Sequence, residues 1–169
     1  MARPTRILIE ALRTSADRIE RGAEYSWTHM GSCNCGHLVQ SLTHRSKAEI
    51  HRMALQKAGD WGQQAVDHCP VSGYPIDHII TTMIEAGMTH QDIYELERLA
   101  NRDVLAALPA GHRRLDYRER DDVVVYMRAW AEYLEQRLTP SEIDDLVRDG
   151  QIRTADAQTA STPTTVLGR

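Results

Sequence analysis

Apolar residues recur three or four positions apart in several segments of this chain, and this periodicity constrains its fold more than any other feature. In the first segment the apolar stripe consists of Leu8, Leu12, Ala16 and Ile19. Residues at these spacings share one face of an α-helix, whereas a half-buried strand would alternate apolar and polar residues. The periodicity therefore predicts an all-α protein.

Residues that favour the ends of helices lie between the stripes. Ser46 precedes Glu49 by three positions, which is the spacing of a capping box at a helix N-terminus. The same spacing joins Thr89 with Asp92 and Asp116 with Glu119. Between residues 61 and 75 the sequence lacks a clear period, and its prolines and glycine predict turns. Stripes and caps together predict helices over residues 5–21, 36–43, 47–58, 75–86, 90–100, 103–108, 117–137 and 140–149.

The composition agrees with a helical core. Phenylalanine is absent and aromatic residues make up only 5% of the chain, so aliphatic side chains must fill the interior, which favours helices over a β-sandwich. A chain of 169 residues is long enough for one domain with a full core. We predict a compact single-domain bundle of about six to eight helices with irregular loops over residues 1–150. The small, polar residues of 151–169 predict a flexible, disordered tail.

Charge and hydropathy narrow the classes of function. The formal net charge is −4, and no block of basic residues stands apart from acidic ones, which argues against a nucleic-acid-binding face. We find no apolar run near the roughly 18 residues that span a bilayer and no secretory signal, so we expect a cytoplasmic protein without a membrane partner. Its three cysteines would then stay reduced. A homo-oligomer stays open, and the sequence identifies no small-molecule substrate.

Side chains that can bind a metal ion are concentrated in two short segments. These candidate ligands are His29, Cys33, Cys35 and His37 in the first segment, and His68 and Cys69 in the second. Thiolate and imidazole are common ligands of zinc and iron, and two segments that each supply a pair of donors can enclose one ion. We predict a zinc or iron site formed by Cys33, Cys35 and Cys69 with one of the three histidines. Whether such an ion is structural or catalytic stays open.

The spacing of these cysteines departs from the standard signatures. Zinc modules usually separate paired cysteines by two to four residues, whereas Cys33 and Cys35 enclose a single residue. The segment also lacks the pattern of c-type haem attachment. Two other interpretations therefore stay open: that the cysteines are packed in the core, and that Cys35, just before a predicted helix, is the nucleophile of a hydrolase or transferase with a histidine base.

Residues 79–96 are similar to a helix-turn-helix, with Gly87 at the centre. This similarity implies a recognition helix that begins with Thr89, His90 and Gln91 and includes Tyr94. Acidic residues within the same helix would meet the DNA phosphates and oppose binding. Because an ordinary αα-hairpin carries the same pattern, the segment is equally compatible with a protein-interaction module.

Overall fold

The computed structural model describes residues 1–109 and 114–139, and in these ranges the regular secondary structure is entirely α-helical. Eight helices follow one another: α1 Arg6–Glu20, α2 Asn34–Thr43, α3 Lys47–Ala54, α4 Trp61–Val66, α5 Pro75–Glu85, α6 His90–Arg98, α7 Arg102–Ala107 and α8 Arg120–Glu135. The predicted all-α architecture is confirmed. The residues from 1 to 138 form a compact unit. The helix predicted over 140–149, the tail and the predicted boundary at residue 150 lie outside the described residues.

The first helix pairs with the last described one. Along α1 the buried face includes Leu8, Leu12 and Ile19, as the stripe predicts, and α1 packs against both α2 and α8. Ion pairs at the edge of the α1–α8 contact support this packing. The two terminal nitrogens of the Arg13 guanidinium group, Nη1 and Nη2, donate to the Glu135 carboxylate at 2.9 and 2.7 Å.

The remaining helices complete the core around α2. This helix contacts α3, α5 and α6, while α4 packs on α6 and α7 on α8. The large fully buried side chains include Trp61 of α4 and Trp130 of α8. The segment that carries the candidate cysteines therefore enters the middle of the core. Within the described ranges, no helix is long and apolar enough to cross a membrane.

Two predicted capping boxes are confirmed. The Ser46 side chain accepts a hydrogen bond from the Glu49 amide, and the Glu49 carboxylate accepts one from the Ser46 amide at 2.9 Å. Thr89 and Asp92 form the same reciprocal pair at the start of α6. The third predicted pair differs, because α8 begins at Arg120 and its N-cap residue Glu119 makes no side-chain cap bond.

Replacing Ser46 by alanine is expected to lower the free energy of unfolding by about 1 kcal/mol, because the Glu49 amide loses its hydrogen-bond acceptor. Urea unfolding of the native protein and the Ser46→Ala variant measures this difference. Thr14→Ala, on the exposed surface of α1, is a matched control and should change the same quantity by less than about 0.5 kcal/mol. Equal stability of Ser46→Ala and native protein would contradict the capping role.

The segment predicted as turns between residues 61 and 75 contains the short helix α4. Its N-cap residue is Asp60, whose carboxylate accepts a hydrogen bond from the Gln63 amide at 2.8 Å. In the sequence, Gly59 and Asp60 read as the end of the preceding helix, but that helix already ends at Ala54. The prediction failed here because Asp60 begins the next helix, and six residues are too few to display a period.

Candidate functional site

Cys33 and Cys35 are buried at the start of α2. Cys33 is the N-cap residue, and its sulfur accepts a hydrogen bond from the Gly36 amide at 3.4 Å. Its thiol donates to the Met30 carbonyl at 3.6 Å, and the Cys35 thiol donates to the Ile93 carbonyl at 3.7 Å. Cys35 thus lies within the first turn of α2, two positions further into the helix than predicted, and both thiols have backbone partners.

Burial keeps both thiols in the protonated form. It raises the pKa of the Cys33 thiol to about 11 and raises that of the Cys35 thiol well above its ordinary value. The thiolate is the form that attacks an electrophile or binds a metal ion. In this environment both groups therefore resemble small apolar core residues.

Glycines bring the backbone around these cysteines into close contact. A Cβ atom at Gly36 would overlap the backbone of Met30 and Gly31, and one at Gly31 would overlap the carbonyl of Lys47. Because they lack side chains, both glycines allow segments of the backbone to pack closely together.

Two buried polar side chains join α2, α4 and α6 beside the cysteines. The Asn34 amide donates to the carbonyls of Leu96 and Glu97 at 2.8 and 3.0 Å, so it caps the C-terminal end of α6. The Glu97 carboxylate accepts hydrogen bonds from the amides of Trp61 and Gly62 at 3.2 and 3.1 Å, at the N-terminus of α4. Burial raises the pKa of Glu97. Neither role is apparent from the sequence, because each depends on which helix ends meet in space.

His37 lies against the loop that precedes the cysteines. Its Nε2 atom donates to the Glu24 carbonyl at 3.1 Å, and its ring stacks on Tyr25 with 6.4 Å between centroids. The Nδ1 atom is buried and has no hydrogen-bond partner among the described residues. Burial lowers the pKa of His37 to about 4, so this histidine stays neutral at physiological pH.

His29 pairs with His51, which is not among the predicted metal ligands. Its ring stacks on that of His51, with 3.8 Å between centroids and 16° between planes. The Nδ1 atom of His29 accepts a hydrogen bond from the Gly31 amide at 3.2 Å. This arrangement positions the loop before α2 against α3.

His68 and Cys69 follow α4, and His68 lies beside the first residue of α6. The Nε2 atom of His68 lies 3.0 Å from Thr81 Oγ1, and its Nδ1 atom lies 3.4 Å from Nε2 of His90. His68 is half-buried and His90 is exposed. Burial lowers the pKa of His68, and the neighbouring His90 lowers it further. Cys69 is exposed, and it is the one exposed thiol of the three.

The structure thus divides the candidate ligands among separate surroundings. Cys33, Cys35 and His37 lie with the core around α2, His29 stacks on α3, and His68 faces the first residue of α6. Within residues 1–109 and 114–139, no three side chains of His, Cys, Asp or Glu are grouped so that they could hold a metal ion. The ligand set of three cysteines and one histidine stays a prediction.

The segment with helix-turn-helix spacing forms α5, a turn through Gly87 and α6. The face of α6 that carries Tyr94 and Arg98 packs on α4: Tyr94 contacts Gly62, and Arg98 forms an ion pair with Asp60 at 2.9 Å. His90 and Gln91 at its start are exposed. A role in DNA binding stays a prediction.

The chain matches no protein-family model and has no significant match among curated proteins or solved structures.

Proposed function

We propose that this protein binds a divalent transition-metal ion, zinc in the first instance, between Nδ1 of His68 and Nε2 of His90. The observation that carries the proposal is the 3.4 Å separation of these two nitrogens. Two Zn–N bonds of about 2.0–2.1 Å that meet at the tetrahedral angle separate their nitrogens by about 3.3 Å. The separation of these two nitrogens therefore matches that of two histidine ligands of one ion.

The hydrogen bonding of His68 suits a metal ligand. Its Nε2 atom faces the hydroxyl of Thr81, and an Nε2–H donor there leaves the Nδ1 lone pair directed at His90. Metal-binding histidines commonly donate their second ring N–H to an oxygen, which fixes the tautomer and the orientation of the ring. Thr81 is thus a positioning residue for His68.

The pair is also accessible. His90 is exposed, and Cys69, the next residue after His68, carries an exposed thiol. Two histidines leave two positions of a tetrahedral ion for water or for an external ligand, and open positions are the property of catalytic rather than structural zinc sites. The proposal retains His68 from the predicted ligand set and adds His90.

Calorimetric titration of the metal-free protein with zinc chloride tests this proposal. We expect one zinc ion per chain and, in His90→Ala, an affinity at least about tenfold lower, because half of the protein ligands are lost. Thr81→Val should weaken binding by about 10- to 100-fold without removing a ligand. His44→Asn is the matched control, since asparagine tolerates the left-handed backbone that His44 adopts.

The outcomes of this titration separate the candidate sites. Unchanged zinc affinity in His90→Ala, or the absence of zinc binding by the folded native protein, would contradict the proposal. Binding that fails in His44→Asn as well would indicate a general effect on the fold.

A further inference from the structure

An open groove lies between the C-terminal end of α2, helix α3 and the beginning of α5. Its volume is about 640 Å³, within the range of about 300–1,000 Å³ that is typical of small-molecule sites. Apolar side chains form much of its lining, among them Leu42, Met53, Pro75 and Ile79. This groove is separate from the pair formed by His68 and His90, neither of which lines it.

Two basic side chains complete the lining, and no acidic residue contributes to it within the part of the chain that the structure describes. These are Arg45, which follows α2, and His78 of α5, and both are exposed. Among the described residues the Arg45 guanidinium group makes no hydrogen bond or close ion pair, although, after the hydrogen bonds from Ser46, its charge helps to lower the pKa of Glu49. A planar guanidinium group with free N–H donors binds a carboxylate through two parallel hydrogen bonds.

The hydroxyl groups of the lining already donate within their own helices. The Thr43 hydroxyl donates to the Val39 carbonyl at 2.7 Å, and the Thr82 hydroxyl donates to the His78 carbonyl at 2.9 Å. The donors that remain for a ligand are therefore the cationic side chain of Arg45 and the imidazole of His78. The charge of the groove complements an anion, and its apolar wall complements a hydrocarbon.

We propose that the groove binds a small carboxylate with an unbranched apolar tail, that is, a free medium-chain fatty acid. The carboxylate lies against Arg45 and His78, and the tail lies along Leu42, Met53 and Ile79. Burial of the tail supplies the non-directional part of the affinity, and the ion pair with Arg45 selects the acid over neutral molecules of the same length.

Titration of the full-length protein with decanoate, followed by calorimetry, tests this inference. We expect saturable binding at one site per chain. Arg45→Gln should weaken it by about 10-fold or more, because a hydrogen-bonded charge pair is lost. Arg52→Gln is the matched control, since Arg52 is an exposed arginine of α3 outside the lining. Decanol should bind at least about tenfold more weakly than decanoate for the same reason.

Zinc titration and circular dichroism of Arg45→Gln accompany this experiment. Native helix content and native zinc affinity in the variant would show that any loss of decanoate binding is local to the groove. No saturable binding by the native protein would overturn the inference. Equal losses in Arg45→Gln and Arg52→Gln, or equal affinity for decanol and decanoate, would also overturn it, because the groove would then not recognise the carboxylate.

Discussion

Gly36→Ala is expected to lower the free energy of unfolding by about 3 kcal/mol or more, although alanine favours helices. Gly36 lies inside α2, where replacing glycine by alanine in open space would stabilise the helix by about 0.5–1 kcal/mol. Here the new Cβ atom would overlap the backbone of Met30 and Gly31, which is not free to move as a flexible side chain would be. The cost of this overlap therefore exceeds the gain in helix propensity, so the substitution lowers the free energy of unfolding.

Chemical unfolding of Gly36→Ala beside Gly73→Ala measures this effect. A Cβ atom at Gly73 has no neighbour within 4 Å, but its φ of +79° strains any side chain. The control should therefore lose only about 1–2 kcal/mol, from backbone strain without overlap. Stabilisation by Gly36→Ala would contradict the close packing of the turn that carries Cys33 and Cys35. A ligand could then bind at this turn.

Acidification from about pH 6.5 to pH 4 is expected to remove roughly 3 kcal/mol of stability through His37 alone. Its folded pKa of about 4 lies below the ordinary value of 6.5, because burial disfavours the imidazolium ion. In that interval the unfolded chain binds a proton at this position and the folded chain does not. The stabilising contribution is complete above pH 6.5 and is lost as the pH falls through the folded pKa.

His37→Gln isolates this contribution, since the glutamine amide can still donate to the Glu24 carbonyl. We expect the difference in unfolding free energy between native protein and variant to shrink as the pH falls from 7 to 4.5. Thr14→Ala, which alters an exposed side chain without a titratable group, should show the native pH dependence. If the unfolding free energies of native protein and His37→Gln change in parallel over this pH range, that result would contradict the buried, neutral state of His37.

The local features of the fold were predictable because the residues that cause them are close in sequence. Ser46 and Glu49 form their capping box within one turn, and the stripe of α1 follows from the helical period alone. Asp60 was misread because a residue that begins one helix also resembles the end of another. Helix α4 is too short for a hydrophobic period to be recognised in its sequence.

The candidate site was less predictable because it depends on contacts between helices. A cysteine near a helix start can be a ligand, a nucleophile or a core residue, and what distinguishes these roles is burial, which for Cys35 is complete. His90 was considered only as part of a recognition helix, since nothing in the sequence relates it to His68, 22 positions earlier. Of the histidines predicted as ligands, His68 lies beside His90 in the structure.

The ring nitrogens of the histidines give the most direct test of metal binding at His68 and His90. Two-dimensional NMR of ¹⁵N-labelled imidazoles, recorded before and after one equivalent of zinc, identifies each nitrogen that binds the ion. The account predicts that Nδ1 of His68 and Nε2 of His90 change together, while His37 and His44 keep their shifts. Zinc binding that leaves both of these nitrogens unchanged, or that instead shifts the ring nitrogens of His37 or His29, would contradict it.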